Sequence, residues 1–403
     1  MNDTKIVDVT SDVKWVGVLD PNIVNFDIVM ETKYGTTYNS YFINADKKAL
    51  IETVKETFSE VFFKKLEKLT NLEDLEYIIL NHTEPDHSGA LRELLKECPN
   101  ATVVGSGNAI RYLDDITGLE FNSMKVKDGD KIDLGNKTLG FISAPNLHWP
   151  DTLFTYLEED TILFTCDAFG AHFCHEDMFD DLVGDYYDSF KYYFDVILKP
   201  YSKFMLKAID KIEDLNIKLV CPGHGPILRT TWREKVIESR RLSEEYLQTI
   251  ESDENIVLVA YISAYGYTKE MANAIADGLK QTGNIIVDLT DIEQISLGDL
   301  ESKIVRCKGI LIGSPTINQN TLLPVYKLFS LINPIRDKGK LAGSFGSYGW
   351  SGEAVQLIDS QLRNLKLDVF REGLSEKFYP FNEKENRFVD FGKKFGQKLL
   401  ETE

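Results

Sequence analysis

The sequence predicts a two-part chain of mixed α/β and α+β class: an αββα sandwich over residues 1–250, then a doubly wound parallel sheet over residues 251–403. Three observations predict it. Up to about residue 230 the chain reads as short apolar strands separated by turn residues, with helices between them. From residue 232 it becomes charged and helical and runs into Glu251-Ser252-Asp253-Glu254-Asn255, a composition suited to a linker. Beyond that point strand, loop and helix alternate regularly, the pattern of a parallel sheet with crossover helices.

In the first part, residues 13–19, 27–31 and 37–43 have strand composition, with Lys33-Tyr34-Gly35-Thr36 as a turn. A helix is expected over 48–69, where Val54, Phe58, Val61, Phe62 and Leu66 recur at helical spacing. Residues 77–80 read as a short buried strand, 89–95 as the opening of a helix, and 102–105 as a strand. Further strands are expected at 137–144, 152–157, 162–165 and 218–221, and a helix at 232–250. In the second part strands are expected at 256–261, 285–288, 309–312 and 341–345, with helices at 269–280, 323–331, 354–365 and 383–400. The sequence shows no short internal repeat.

Composition narrows the function classes. The 403 residues are 43% hydrophobic and 27% charged, an ordinary globular balance with length for two or three domains. No apolar run approaches the roughly 18 residues of a membrane span. The start, Met1-Asn2-Asp3-Thr4-Lys5, lacks the apolar stretch of a signal peptide, so a cytoplasmic protein is expected. A formal charge of −19 argues against nucleic acid or an anionic membrane as partner, because phosphates are repelled. The five cysteines (Cys98, Cys166, Cys174, Cys221, Cys307) form no Cys-x-x-Cys pair, which excludes a fused iron–sulfur module built on clustered thiolates.

The chemistry concentrates in two places. His82-Thr83-Glu84-Pro85-Asp86-His87 follows a buried strand. In an extended segment alternate side chains point the same way, so His82, Glu84 and Asp86 are expected to converge, with Asp86 and His87 serving a second metal beside the first. More donors stand at other strand ends: His148 before Trp149-Pro150-Asp151, Asp167 after Phe164-Thr165-Cys166, and His224 within Pro222-Gly223-His224-Gly225-Pro226. A lone histidine in a turn is ordinarily a polar surface residue, but four of the six histidines here accompany acids at strand ends. Mixed nitrogen and oxygen ligation suits iron, and the carboxylates favour the oxidised state of a redox metal; zinc remains open. His172 and His175 follow Asp167 closely; they could orient ligands or a proton-carrying water, but ordinary loop packing is the expectation for each.

The second place is Ser263-Ala264-Tyr265-Gly266-Tyr267-Thr268, between a strand and a helix. Its hydroxyls and backbone N–H groups can wrap one phosphate at the helix N-terminus, and Gly266 lets the backbone turn close to it. Two further loops stand at C-terminal strand ends, Gly313-Ser314-Pro315-Thr316-Ile317-Asn318 and Gly346-Ser347-Tyr348-Gly349-Trp350-Ser351-Gly352. A dinucleotide site is not supported: Gly105-Ser106-Gly107-Asn108-Ala109-Ile110 lacks the third glycine, and Gly266 has no Gly-x-Gly partner.

These segments resemble known families. The His-x-Glu-x-Asp-His segment, the later His and Asp, and the Pro-Gly-His-Gly segment resemble the metallo-β-lactamase fold and, more narrowly, the flavodiiron (A-type flavoprotein) family. Hydrolases of that fold usually carry His where this chain has Glu84. The Ser263–Thr268 loop resembles the phosphate loop of flavodoxins, and the two later loops resemble flavodiiron segments. The resemblance covers nearly the whole chain. It implies a metallo-β-lactamase-like domain followed by a flavodoxin-like domain, with FMN and two non-haem Fe ions as cofactors. His82, Glu84, Asp86, His87, His148, Asp167 and His224 are the implied metal ligands, Asp167 as the bridge, although relatives can leave the His87 position unliganded. Catalysis is expected at Asp167, His82, Glu84 and Asp86. Tyr348 and Trp350 would flank the isoalloxazine, and Thr316 and Asn318 would hydrogen-bond its polar edge. The implied activity is reduction of dioxygen to water or nitric oxide to nitrous oxide. A head-to-tail homodimer is implied, with electrons from a separate protein such as a rubredoxin or, in some relatives, from reduced deazaflavin. Two alternatives stay open at this point: a two-zinc hydrolase, and an electron carrier with a degenerate metal domain.

Overall fold

Period-two burial along the strands sets the layering of the first part. The computed structural model describes residues 5–26, 30–250, 254–378 and 383–401, and the chain divides into two units, Met1–Leu247 and Gln248–Glu403. In the first unit a seven-stranded sheet runs in the order Val7–Asp8, Val13–Trp15, Tyr41–Ile43, Lys48–Ile51, Leu75–Ile79, Thr102–Gly105, Asn122–Lys125. A five-stranded sheet follows chain order: Lys131–Asp133, Thr138–Ser143, Leu153–Leu157, Ile162–Cys166, Leu219–Pro222. Trp15, Tyr41, Ile51, Ile79 and Val104 of the first sheet meet Phe141, Leu153, Leu157 and Phe164 of the second in one core. The side chains between them point the opposite way. Phe42, Leu50, Ile78 and Val103 pack on Phe62, Leu66, Leu91 and Leu113 of the helices outside the first sheet. Phe154, Leu163 and Val220 pack on Phe190, Phe194, Met205 and Ile209 outside the second. Strands that alternate between two apolar faces yield the αββα sandwich.

Three expectations need correction. Lys48–Ile51 is a strand, not the start of a helix; helix is confined to Ser59–Leu66 after a short 3-10 turn at Glu56–Phe58. Ala49, Leu50 and Ile51 are wholly buried, and they pair with Tyr41–Ile43 on one side and Leu75–Ile79 on the other, so the ladder overrides the helical spacing. The runs at 13–19 and 37–43 each break in two, because Val18–Asp20 and Thr36–Tyr38 leave the large sheet to pair with each other. Of the strand expected at 27–31, only Met30–Glu31 is described; residues 27–29, the first four residues and linker residues 251–253 lie outside the described set.

The second unit is a parallel sheet in the order Ile286–Asp291, Ile256–Tyr261, Gly309–Gly313, Leu341–Tyr348, the last flanked by Asp368–Val369 and Leu374–Lys377. Its central strands are apolar on both faces, as a sheet covered twice requires. Helices Leu297–Arg306, Leu323–Leu331 and Glu353–Asn364 cover one face, and Tyr267–Lys280 with Glu383–Glu401 cover the other. The strand order reverses at Ile256–Tyr261, so the loops leaving the carboxyl ends there frame a crevice. Among the described residues no helix is long and apolar enough to cross a membrane.

Candidate metal and flavin sites

Each donor of the metal constellation sits just past a strand of the sandwich. Leu75–Ile79 leads into His82 and Glu84, and Pro85 then starts a helical turn, Pro85–Ser88. That turn rotates Asp86 and His87 away from the direction an extended chain would give them. The expected convergence of His82, Glu84 and Asp86 on one point is therefore corrected: the donors form two groups. His82, Glu84, His148 and Asp167 make one; Asp86, His87 and His224 make the other. Asp167 and His224 come together because Ile162–Cys166 and Leu219–Pro222 are parallel neighbours in register Cys166 to Pro222.

Asp167 faces both groups with different oxygens. Its Oδ2 lies 3.5 Å from His82 Nε2 and 3.3 Å from His148 Nε2. Its Oδ1 lies 3.2 Å from His87 Nε2 and 3.5 Å from His224 Nε2. Glu84 Oε2 is 3.1 Å from both His82 Nε2 and His148 Nε2, and Asp86 Oδ2 is 3.0 Å from His224 Nε2 and 3.5 Å from His87 Nε2. All four imidazoles thus turn Nε2 inward.

The outward nitrogens of His82 and His224 meet acceptors. His82 Nδ1 is 3.3 Å from Asp151 Oδ2, which also accepts from the Thr83 N–H and hydroxyl at 2.8 Å each. His224 Nδ1 donates to the Thr37 carbonyl at 2.6 Å. Such partners fix the tautomer and ring orientation of a ligating histidine. Tyr193, on helix Tyr187–Tyr193, donates its hydroxyl to Asp167 Oδ1 at 3.0 Å. His172 is buried with Nδ1 2.9 Å from the Thr36 hydroxyl and its ring 5.4 Å from that of His224; burial holds it down at about 3, neutral. His175 is exposed, its Nδ1 accepting from the Asp177 N–H at 3.0 Å.

The carboxylates call for positive charge here. Burial pushes Glu84 up, yet hydrogen bonds from His148 and His82 bring it down to about 2. Burial also opposes ionisation of Asp167, but the His87 charge and the neighbouring His148 hold it well below the usual range. Against the same burial, Asp151 and Glu84 raise His82 to about 10, and Asp167 and Glu84 raise His148 to about 9. Asp86 Oδ1 and Asp167 Oδ2 are buried carboxylate oxygens without a hydrogen-bond partner. Buried charges of this kind are paired or bind metal. Four imidazoles and three carboxylates in two groups sharing Asp167 fit a pair of iron ions.

The second unit carries a cleft of about 320 Å³ where the three loops meet. Tyr265, Tyr267, Pro315, Thr316, Ile317, Asn318, Ser347, Tyr348, Gly349, Trp350 and Ser351 line it, joined by Gln319 and Phe378. Ser263, Ala264, Gly266, Thr268 and Gly352 stand in the same loops but outside the lining. Gly266, at φ 85°, caps helix Tyr267–Lys280 and turns the loop around its N-terminus. Thr268 and Ser347 hydroxyls lie 2.8 Å apart, and the Thr316 N–H donates to the Ser347 carbonyl at 2.8 Å, so the loops are tied together. Tyr265 and Trp350 are 80% and 78% exposed, leaving aromatic surface free for a flat ligand.

Comparison with known proteins decides the family. Residues 36–225 match the model of the ODP family beta lactamase, and residues 259–391 match the flavodoxin model. The type A flavoprotein fprA of Rhodobacter capsulatus is 39% identical over 399 residues, covering 98% of this chain and 91% of the relative. The chain belongs to the flavodiiron family. The nitric oxide reductase of Moorella thermoacetica is 35% identical over 403 residues, 98% of this chain and 99% of the relative. The crystal structure of the flavodiiron protein from Giardia intestinalis superposes with a TM-score of 0.67 at 30% identity, over 98% of this chain and 97% of that one. As a flavodiiron protein, the chain takes FMN in its flavodoxin domain and a diiron centre in its β-lactamase-like domain.

Sequence reasoning missed Glu52, Tyr193, Gln319 and Phe378, and treated Asp151 only as context. Asp151 alone had a signal, since an acid three residues after His148 stands among the strand-end polar residues. Tyr193 ends the helix Tyr187–Tyr193, and Glu52 and Phe378 directly follow the strands Lys48–Ile51 and Leu374–Lys377, elements not read from the chain, whereas Gln319 is the next residue after a loop that was read.

Proposed function

We infer that the protein is a flavo-diiron oxidoreductase that reduces dioxygen to water, nitric oxide to nitrous oxide, or both, drawing electrons from an external donor through FMN. The observation that carries this reading is Asp167, which turns one carboxylate oxygen to each donor group. In it His82, Glu84 and His148 would hold one iron, Asp86, His87 and His224 would hold the other, and Asp167 would serve both. Bound iron supplies the positions at which a small gas is held and reduced, and FMN passes electrons singly. The protein's part is placement. Asp151 and the Thr37 carbonyl keep His82 and His224 turned inward, and Tyr193 donates its hydroxyl to Asp167 Oδ1 across 3.0 Å between the oxygens.

In the same reading the Ser263–Thr268 loop takes the FMN phosphate, Tyr348 and Trp350 flank the ring, and Thr316 and Asn318 meet its polar edge. Residues 1–250 form the iron domain and 251–403 the flavin domain. The donor is a separate protein of rubredoxin type, the assembly is a head-to-tail homodimer, and the compartment is the cytoplasm. The test is anaerobic reduction of the flavin in iron-loaded protein, followed by parallel electrode traces with dioxygen and nitric oxide. Rapid consumption of at least one gas is expected, abolished by Asp167→Ala with FMN still bound. Fully reduced, iron-loaded protein that consumes neither gas would overturn the reading.

A further inference from the structure

Glu52 carries two unfavourable features at once. Its φ is 61°, left-handed backbone that a residue with a Cβ adopts only under constraint. Its carboxyl group is buried with one oxygen satisfied: Oε1 accepts from the Asn81 N–H at 2.8 Å, whereas Oε2 has no hydrogen-bond partner. The backbone around it is fully used. The Glu52 N–H donates to the Ile79 carbonyl at 2.9 Å, and the Glu52 carbonyl accepts from the Ser40 hydroxyl at 2.8 Å. Strained backbone and an unpaired buried oxygen persist where the surroundings over-determine them, which happens chiefly at functional sites.

What Oε2 faces is His87, at 3.8 Å from Nδ1. The rest of the ring is boxed in. Cys166 Sγ lies 3.7 Å from the same nitrogen, and a Cβ on Gly223 would fall 2.6 Å from His87 Cε1. Thr53, next in the chain to Glu52, grips the His87 carbonyl with its N–H at 2.8 Å and its hydroxyl at 2.6 Å. The ring is left with Nε2 toward Asp86 and Asp167. His82 and His224 each have an oxygen acceptor at Nδ1, and Glu52, beside the Cys166 sulfur, is the oxygen acceptor that stands at this position for His87.

We propose that Glu52 is the positioning residue that makes His87 a metal ligand, by accepting its Nδ1–H so that Nε2 is the free nitrogen at the second iron position. The 3.8 Å separation is longer than a hydrogen bond, and its closure when iron binds is part of the proposal. This rests on the reading of His87 as an iron ligand.

The decisive variant is Glu52→Gln. Glutamine keeps the volume, but the Asn81 N–H claims its single oxygen and turns its NH2 toward His87, which selects the wrong tautomer. Full-length, chelator-treated protein is titrated anaerobically with ferrous iron, with electron paramagnetic resonance of the half-oxidised pair as a second readout. Wild type is expected to take two irons. Glu52→Gln weakens one of the two by about ten- to a hundredfold and alters the mixed-valence spectrum. His87→Ala weakens the same iron, and the double variant is no weaker than His87→Ala alone. Two irons bound by Glu52→Gln as tightly as by wild type, or losses that add in the double variant, would overturn the proposal. Wild type that takes up no iron sinks the metal-centre reading and this inference with it. Should Glu52→Gln not fold, a crystal structure of iron-loaded wild type decides. A Glu52 oxygen within about 3.2 Å of His87 Nδ1 supports the proposal, and any other acceptor there refutes it.

Discussion

Tyr193 donates its hydroxyl to Oδ1 of Asp167 at 3.0 Å, while Oδ2 of the same buried carboxylate has no hydrogen-bond partner. The two oxygens are therefore unequal before any metal arrives. A hydrogen bond to a charged acceptor contributes about 1.5–3 kcal/mol. Tyr193→Phe keeps the packing of the ring and removes only the hydroxyl. Chelator-treated Tyr193→Phe protein is expected to unfold in urea with roughly 2 kcal/mol less stability than wild type. An unchanged midpoint would mean that this bond contributes nothing to the metal-free protein.

Asp151 holds His82 from behind and also satisfies the Thr83 N–H and hydroxyl. In Asp151→Asn the amide nitrogen becomes a donor beside groups that need an acceptor. Losing an outer partner of a metal-ligating histidine typically weakens metal binding about ten- to a hundredfold. Ferrous titration should show that loss at the iron proposed to sit at His82, with FMN content unaffected. Wild-type affinity at that position would remove Asp151 from the site.

The metal-free protein should have a pH profile of definite sign. His82 and His148 are raised to about 10 and about 9. Groups raised in the folded state stabilise it fully below their unfolded value, about 6.5, and that stability is lost as pH climbs through the folded values. Glu84, lowered to about 2, works the other way: its contribution is present above about 4.5 and is lost as pH falls through 2. Thermal midpoints of chelated protein should therefore be highest between about pH 4.5 and 6.5, fall as pH rises from there through about 9 to 10, and level off above. If iron binds these imidazoles as proposed it displaces their protons, so binding in weak buffer near neutrality should release protons, and affinity should rise with pH. A flat profile together with proton-neutral iron uptake would contradict the charge balance derived for the site.

Trp350 offers a large apolar side chain to the cleft while remaining 78% exposed. Its removal therefore has little to unpack in the flavin-free fold. An aromatic stacking contact is worth about 0.5–1.5 kcal/mol beyond area burial, or roughly two- to twelvefold in affinity. Trp350→Ala should weaken FMN by about that much, measured by fluorescence titration, without shifting the unfolding midpoint of flavin-free protein. Unaltered FMN affinity would show that the ring packs elsewhere.

The parts legible in the sequence share one property: their residue types are unusual for where they stand. Polar donors just past apolar strands, as at His82, Asp167 and His224, have no packing reason to be there, and the structure gathers them. The expected geometry at Asp86 failed because one proline changed extended chain into a helical turn. Glu52 and Tyr193 were invisible for a different reason. An acid after an Ala-Leu-Ile run and a tyrosine in an aromatic helix look like ordinary surface and core choices, and only the closing of two sheets brings them to His87 and Asp167. The strand Lys48–Ile51 was hidden because its neighbour-pairing outweighs a helical apolar period that the following residues genuinely carry.

Helices Tyr267–Lys280 and Glu383–Glu401 approach closely enough to exclude side chains at two glycines. A Cβ on Gly278 would lie 2.0 Å from the Val389 carbonyl oxygen, and one on Gly392 would lie 2.1 Å from the Ile275 carbonyl oxygen. Two effects compete when either becomes alanine. Helix propensity favours alanine by about 1 kcal/mol. Overpacking costs typically about 1–3 kcal/mol, and here the obstacle is backbone, which cannot turn aside as a flexible side chain can. The clash should win. Gly278→Ala and Gly392→Ala are expected to destabilise the flavin-binding unit by about 1–2 kcal/mol in urea unfolding followed by FMN release, while iron content stays at the wild-type level. A gain in stability would show instead that the two helices separate freely and that propensity decides the outcome.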